Sequence, residues 1–237
     1  MIKISPIEKP AELTAEKEAE LVKIYKETGR PVWRESFITD ALLKMTNNKC
    51  AYSEQKLNER SAFMEVDHFK CKKLYPDEVV KWGNLLPSCK KCNVAKGDTD
   101  VVKIPIVNPL FDNPKDFLYI SGLRYYAKNQ IGQNTINVLK LNDLHFQMPK
   151  ERIVTDYEDF FLKDWADNFQ GVVTAKKLKT FLKKCRPETE FSAALSTYVL
   201  FESKSYKKIE SSLKNNDLWD DELENLKSVL LSAAMPE

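Results

Sequence analysis

Apolar residues recur at helical spacing along most of the chain and lose that spacing in one stretch. Over 11–29, Leu21, Val22 and Tyr25 share a stripe and Gly29 stands where a helix would stop, which predicts a first helix. Phe37, Ala41 and Met45 predict a second, from about Arg34 to Thr46. The helical period returns at about 131–141, where Ile131, Thr135, Val138 and Leu139 align, and again at 155–168, 172–186 and 188–202. A single long helix is expected over 205–233. From about 47 to 103 the period fades. There Ala62–Asp67 and Asn84–Ser88 read as short strands, and a helix is expected from Cys89 to the stop residue Gly97. Residues 104–120, rich in Pro and Asn, read as a surface connector. The expected class is α+β, mostly α-helical. It has an N-terminal helical segment (1–46), a central ββα unit (47–105) and a connector with a C-terminal helical region (106–237).

Composition narrows what such a chain can do. Six glycines in 237 residues, with no P-loop and no GxGxxG string, exclude the common Gly-rich nucleotide loops. A net charge of +2 means that any affinity for nucleic acid must sit in a local patch. The first residues, MIKISPIEKP, are polar, and no run approaches 18 apolar residues, so a cytoplasmic location is expected. Five cysteines, an odd number, point in a reducing compartment to thiols or metal ligands rather than a disulfide frame.

The chemistry concentrates in EVDHFKCKKLYPDEVVKWGNLLPSCKKCNVAKG, residues 65–97. Asp67 and His68 end the first expected strand. Asn84 follows sixteen residues after the histidine, and Asn93 lies nine further on, one turn into the expected helix. Asp67 and Asn93 offer hard oxygen ligands, which suit Mg²⁺ or Mn²⁺ rather than a soft metal. A neutral imidazole beside such an ion is a suitable base for water. From Phe69 to Lys96 seven lysines face two carboxylates. Lys70, Lys72, Lys73, Lys90, Lys91 and above all Lys96 are therefore expected to meet a phosphate backbone, with little sequence preference.

This pattern resembles the HNH endonucleases, the ββα-metal fold. The resemblance implies that Asp67 and Asn93 hold a single catalytic cation, that His68 is the general base and that Asn84 braces its loop. Many such proteins carry two Cys-x-x-Cys pairs around a structural zinc. Here Cys89 and Cys92 form one pair, whereas the other reads Cys50-Ala-Tyr-Ser53. The expectation is a degenerate zinc set of Cys50, Cys89 and Cys92, with apolar packing of Tyr52, Phe63, Val66 and Leu85 holding the unit in place of structural Zn²⁺. Cys71 and Cys185 read as ordinary thiols, Trp82 as core and His145 as a helix-end residue.

MIKISPIEKPAEL, CAYSE, WGNLLPSCKKCNVAKGD, NPLFDNPKDFLYI and NTINVLKLND are together similar to PtuB-type HNH proteins of Septu and retron-linked antiphage systems, over roughly residues 1–145. That resemblance implies a toxic nuclease acting with the SMC- or ABC-like ATPase PtuA, in some systems alongside a retron reverse transcriptase and its msDNA. DNA is the default substrate and RNA is compatible. The alternative reading is an HNH-shaped adaptor that binds nucleic acid or protein without catalysis. Outside the unit, TAKKLKTFLKKCR carries an apolar face and five other lysines. It reads as a solvated basic face, a nucleic-acid track or a surface for an acidic partner.

Overall fold

Helices dominate, and the strands are few and short, so the protein is α+β and mostly α-helical. The computed structural model describes residues 1–59 and 63–237. The chain divides into two compact units, Met1–Phe117 with Ala127–Leu141, and Leu118–Tyr126 with Asn142–Glu237.

In the first unit, α1 (Ala15–Thr28) is opened by the Thr14 hydroxyl, which accepts from the Lys17 amide, and is closed by Gly29 at φ 69°. Next comes α2 (Ser36–Met45), which buries Ile38, Leu42 and Met45. The antiparallel pair β1 (Met64–His68) and β2 (Leu85–Cys89) follows, in the register Met64 opposite Cys89 and His68 opposite Leu85. Of the expected first strand, Ala62 lies outside the described residues. The next helix, α3 (Lys90–Lys96), starts directly after β2 and packs across both strands. The last helix of this unit, α4 (Gln130–Leu139), packs on α3. Residues 50–57 form a knuckle against β2: the Ala51 amide donates to the Pro87 carbonyl, and the Cys50 amide to that of Gln55. Phe63, expected in the packing beneath this knuckle, is instead 74% exposed, while Tyr52, Val66 and Leu85 are buried.

The second unit holds a hairpin the sequence did not announce, β3 (Leu118–Ser121) and β4 (Arg124–Ala127), inside what reads as connector. Its turn uses Gly122 and Leu123, both at positive φ. Around it lie α5 (Leu144–Tyr157), α6 (Lys163–Asp167), α7 (Val172–Leu182), α8 (Ser192–Thr197), α9 (Lys204–Asn215) and α10 (Asp221–Ala233). A π-helical turn, Glu158–Leu162, joins α5 to α6. Helix α5 begins eleven residues before the expected start. Asp143 caps it by accepting from the His145 amide, and Pro149 is carried inside it. The expected helix over 205–233 is two helices. Asp217 at φ 54° breaks the chain, and Asp220 caps α10 by accepting from the Leu223 amide at 3.1 Å. Replacing Asp220 by alanine should cost about 1 kcal/mol in urea unfolding, the usual worth of such a cap. The core of this unit is one cluster that includes Trp165, Phe181, Tyr206, Leu213, Leu226 and Leu230. Among the described residues no helix is long and apolar enough to cross a membrane.

Candidate functional site

Strand β1 and helix α3 place the polar side chains. Successive strand residues face opposite sides, so Glu65 and Asp67 share one side and His68 takes the other. Positions three apart on a helix are neighbours, which puts Asn93 and Lys96 on one face of α3. The two faces meet. Asn93 Nδ2 donates to Glu65 Oε2 at 2.6 Å, and Lys96 Nζ donates to Asp67 Oδ1 at 3.0 Å and to the His68 carbonyl at 2.6 Å. The second Asp67 oxygen accepts from the Tyr52 hydroxyl at 2.6 Å.

The structure therefore puts Asp67 and Asn93 on one side of the hairpin but gives each another partner. It also removes Lys96 from the expected phosphate-binding set. Lys96 is only 1% exposed, and its ammonium is spent on a buried carboxylate and a carbonyl. Of the other expected phosphate contacts, Lys70 pairs with Glu78 at 2.8 Å and Lys73 with Asp98 at 3.4 Å. Lys72 lies over the Trp33 ring, and Lys90 and Lys91 are exposed on α3.

On the far side of β1, His68 is 4% exposed, with its ring edge-on to Trp33 at 4.6 Å between centroids. Its Nε2 lies 2.9 Å from the Val79 carbonyl. A carbonyl only accepts, so Nε2 carries the proton and Nδ1 of the neutral ring is left as the acceptor. Burial pushes the imidazole down to about 4, helped by the charges of Lys72 and Lys96 and opposed by the Val79 bond. At neutral pH the ring is therefore uncharged. Asn84 fixes the surroundings. Its Oδ1 accepts from the Lys70 amide at 2.7 Å, and its Nδ2 donates to the carbonyls of Lys70 and Glu78 at 3.1 and 3.0 Å. One side chain thus ties the loop after His68 to the residue preceding Val79.

Beside this hairpin the knuckle meets α3. The sulfurs of Cys50, Cys89 and Cys92, all buried, lie within 4.8 Å of one another, and the Ser53 hydroxyl is 3.7 Å from Cys89 Sγ. Burial, the largest influence on Cys50, pushes its thiol up. Hydrogen bonds from Cys89, Cys92 and Ser53 outweigh it and hold Cys50 well below its ordinary value. By donating to Cys50, Cys89 is pushed up to about 12, and burial pushes Cys92 well above the usual thiol range. Three buried sulfurs converging with a hydroxyl beside them are a donor set that a thiophilic cation fits. The oxygens of Glu65, Asp67 and Asn93 suit Mg²⁺ or Mn²⁺ by donor type, while Asp67 Oδ1 is held by the Lys96 ammonium at 3.0 Å.

Sequence reasoning missed Glu65, Tyr52, Trp33 and the Val79 carbonyl. Glu65 had a readable signal, two places before Asp67 on the same strand face. Tyr52 and Trp33 arrive from distant segments and gave none.

No family model matches the chain. Septu protein PtuB of Bacillus thuringiensis is 35% identical over 240 residues, spanning 96% of this chain and 93% of its own length. Septu protein PtuB of Bacillus mycoides strain KBAB4 is 25% identical over 168 residues, 56% of this chain and 57% of its own.

Proposed function

The chain belongs to the Septu PtuB family, and from that premise we propose that it is a metal-dependent HNH endonuclease, the nucleic-acid-cleaving effector of an antiphage defence system. The observation that carries the reading is the His68 ring, pinned through Nε2 to the Val79 carbonyl with Nδ1 left as acceptor, next in sequence to a buried carboxylate. An adaptor has no use for such a base. Asp67 and Asn93 would hold the divalent cation, with Glu65 orienting the Asn93 amide. When bound, the cation supplies positive charge to the scissile phosphate. His68 Nδ1 accepts the proton of the attacking water. Asn84 keeps the imidazole and its carbonyl partner in register, and the exposed Lys90 and Lys91 meet the phosphate backbone. Attack on a phosphodiester by water needs no 2′-hydroxyl, so DNA is the first substrate to try. The reading carries with it a partner, an ATPase of the PtuA kind.

The protein co-purified with that ATPase and incubated with plasmid DNA or total RNA should cleave at least one of them with Mg²⁺ or Mn²⁺ and neither with EDTA. Equal degradation by wild type and a His68 variant would remove the nuclease from this site.

We also propose that Cys50, Cys89 and Cys92, with the Ser53 hydroxyl beside Cys89, would hold Zn²⁺. Elemental analysis should find about one zinc per chain, and Cys92→Ser should lower that content and the melting temperature together, as for other structural zinc sites. A metal-free wild type of unchanged stability would refute the assignment.

A further inference from the structure

Helix α7 and the π-helical turn before α6 enclose a cleft that the nuclease reading does not use. Its volume is about 310 Å³, and its lining includes Phe161, Trp165, Phe181, Lys176, Lys177 and Lys184. The three rings pack in series, Phe161 tilted on Trp165 at 5.8 Å and Trp165 edge-on to Phe181 at 6.1 Å between centroids, and give the cleft an aromatic but not planar floor. Lys177 Nζ stands 5.8 Å over the Trp165 ring and Lys184 Nζ 5.7 Å over that of Phe161.

The lysines of α7 and of the 3₁₀ turn that follows it, Lys183–Cys185, are sorted by charge. Those facing α10, Lys179 and Lys183, are neutralised: Lys179 pairs with Asp220 and Glu222, and Lys183 with Glu222. Those rimming the cleft, Lys176, Lys177 and Lys184, have no carboxylate within ion-pairing distance among the described residues. Uncompensated ammonium groups around an apolar, aromatic floor call for a ligand that is flat and apolar at one end and anionic at the other. The volume lies at the small end of ligand sites, roughly 300–1,000 Å³. It suits one planar group and is too small for a folded element. A nucleotide carries its phosphate on the same unit as its ring, so three lysines about one aromatic seat match it. An acidic peptide distributes carboxylates and rings over separate residues.

We propose that the Phe161–Trp165–Phe181 cleft is a nucleic-acid subsite that seats one nucleotide of a single strand, the base against the aromatic floor and the flanking phosphates on Lys176, Lys177 and Lys184. Single-strand binders combine the same two elements, stacking rings and a cationic track. The proposal goes beyond the nuclease reading and does not depend on it, because binding here requires neither His68 nor a catalytic cation.

The test labels the full chain with 5-fluorotryptophan. Its four tryptophans give four ¹⁹F signals, and Trp165→Phe assigns the one that matters. The chain is titrated with hexathymidylate in EDTA, which prevents cleavage. The Trp165 signal should move on saturation. Lys176→Glu combined with Lys184→Glu should weaken that response more than tenfold and flatten its salt dependence. Phe161→Leu, which keeps bulk but removes the ring face, should weaken it about tenfold. Unchanged Trp33, Trp82 and Trp219 signals would show that each variant is folded. A Trp165 signal unmoved by the strand would overturn the proposal. So would equal responses to hexathymidylate and free thymidine monophosphate, or a response only to an acidic, aromatic peptide.

Discussion

Replacing His68 by alanine should lower phosphodiester cleavage by about 10²–10⁴-fold, the usual worth of a positioned general base. The imidazole is an uncharged, pre-oriented proton acceptor next in sequence to Asp67, on the opposite face of β1. Its Nε2–H is committed to Val79, and burial beside Lys72 and Lys96 keeps the ring deprotonated at neutral pH. Alanine also leaves a hole against Trp33, so stability should fall by about 2–4 kcal/mol and activity must be read well below the melting temperature. His68→Gly separates the two effects. Free imidazole can enter the slot beside Trp33 and should restore part of the cleavage, whereas a purely structural loss would not respond. Asn84→Ala touches neither the imidazole nor a phosphate. It releases three hydrogen bonds that hold residues 70 and 78 and should cause an intermediate loss.

The ββα core of the first unit was legible because its signals are local. Alternation places β1, Gly97 ends α3, and Asp67, His68, Asn84 and Asn93 sit at short, fixed separations. Asn84 ties residues 70 and 78 together through two carbonyls and an amide of the backbone, partners that leave no mark in a side-chain pattern. Contacts between distant segments could not be read. Tyr52 reaches Asp67 across fifteen residues, Trp33 reaches His68 across thirty-five, and Ser53 closes on Cys89 only because the knuckle is fixed on Pro87. In the second unit, helix limits failed where capping overrode periodicity. Asp143 starts α5 early despite Pro149, and Asp217 with Asp220 divides what reads as one amphipathic run. The hairpin β3–β4 was hidden in a Pro- and Asn-rich stretch whose composition speaks only of turns.

Lys96 is where sequence and structure disagree most, and Lys96→Met measures the difference. A surface lysine serving a phosphate would cost under about 0.5 kcal/mol to remove and would reduce the salt slope of nucleic-acid binding by about one. The buried Lys96 holds Asp67 and caps the His68 carbonyl in a place water does not reach. Methionine keeps the length and bulk of the side chain and removes the charge. It leaves Asp67 with the Tyr52 phenol as its remaining donor and the carbonyl without the ammonium. Loss of one partner of a buried pair costs about 3–5 kcal/mol, a large share of the roughly 5–15 kcal/mol that holds a domain together. Urea unfolding should show a lower midpoint at an unchanged slope. Asp67→Asn combined with Lys96→Met should cost less than the sum of the two single changes, because the double variant strands no charge. Additive costs would mean that the two groups do not interact, and Lys96 would return to the phosphate-binding set.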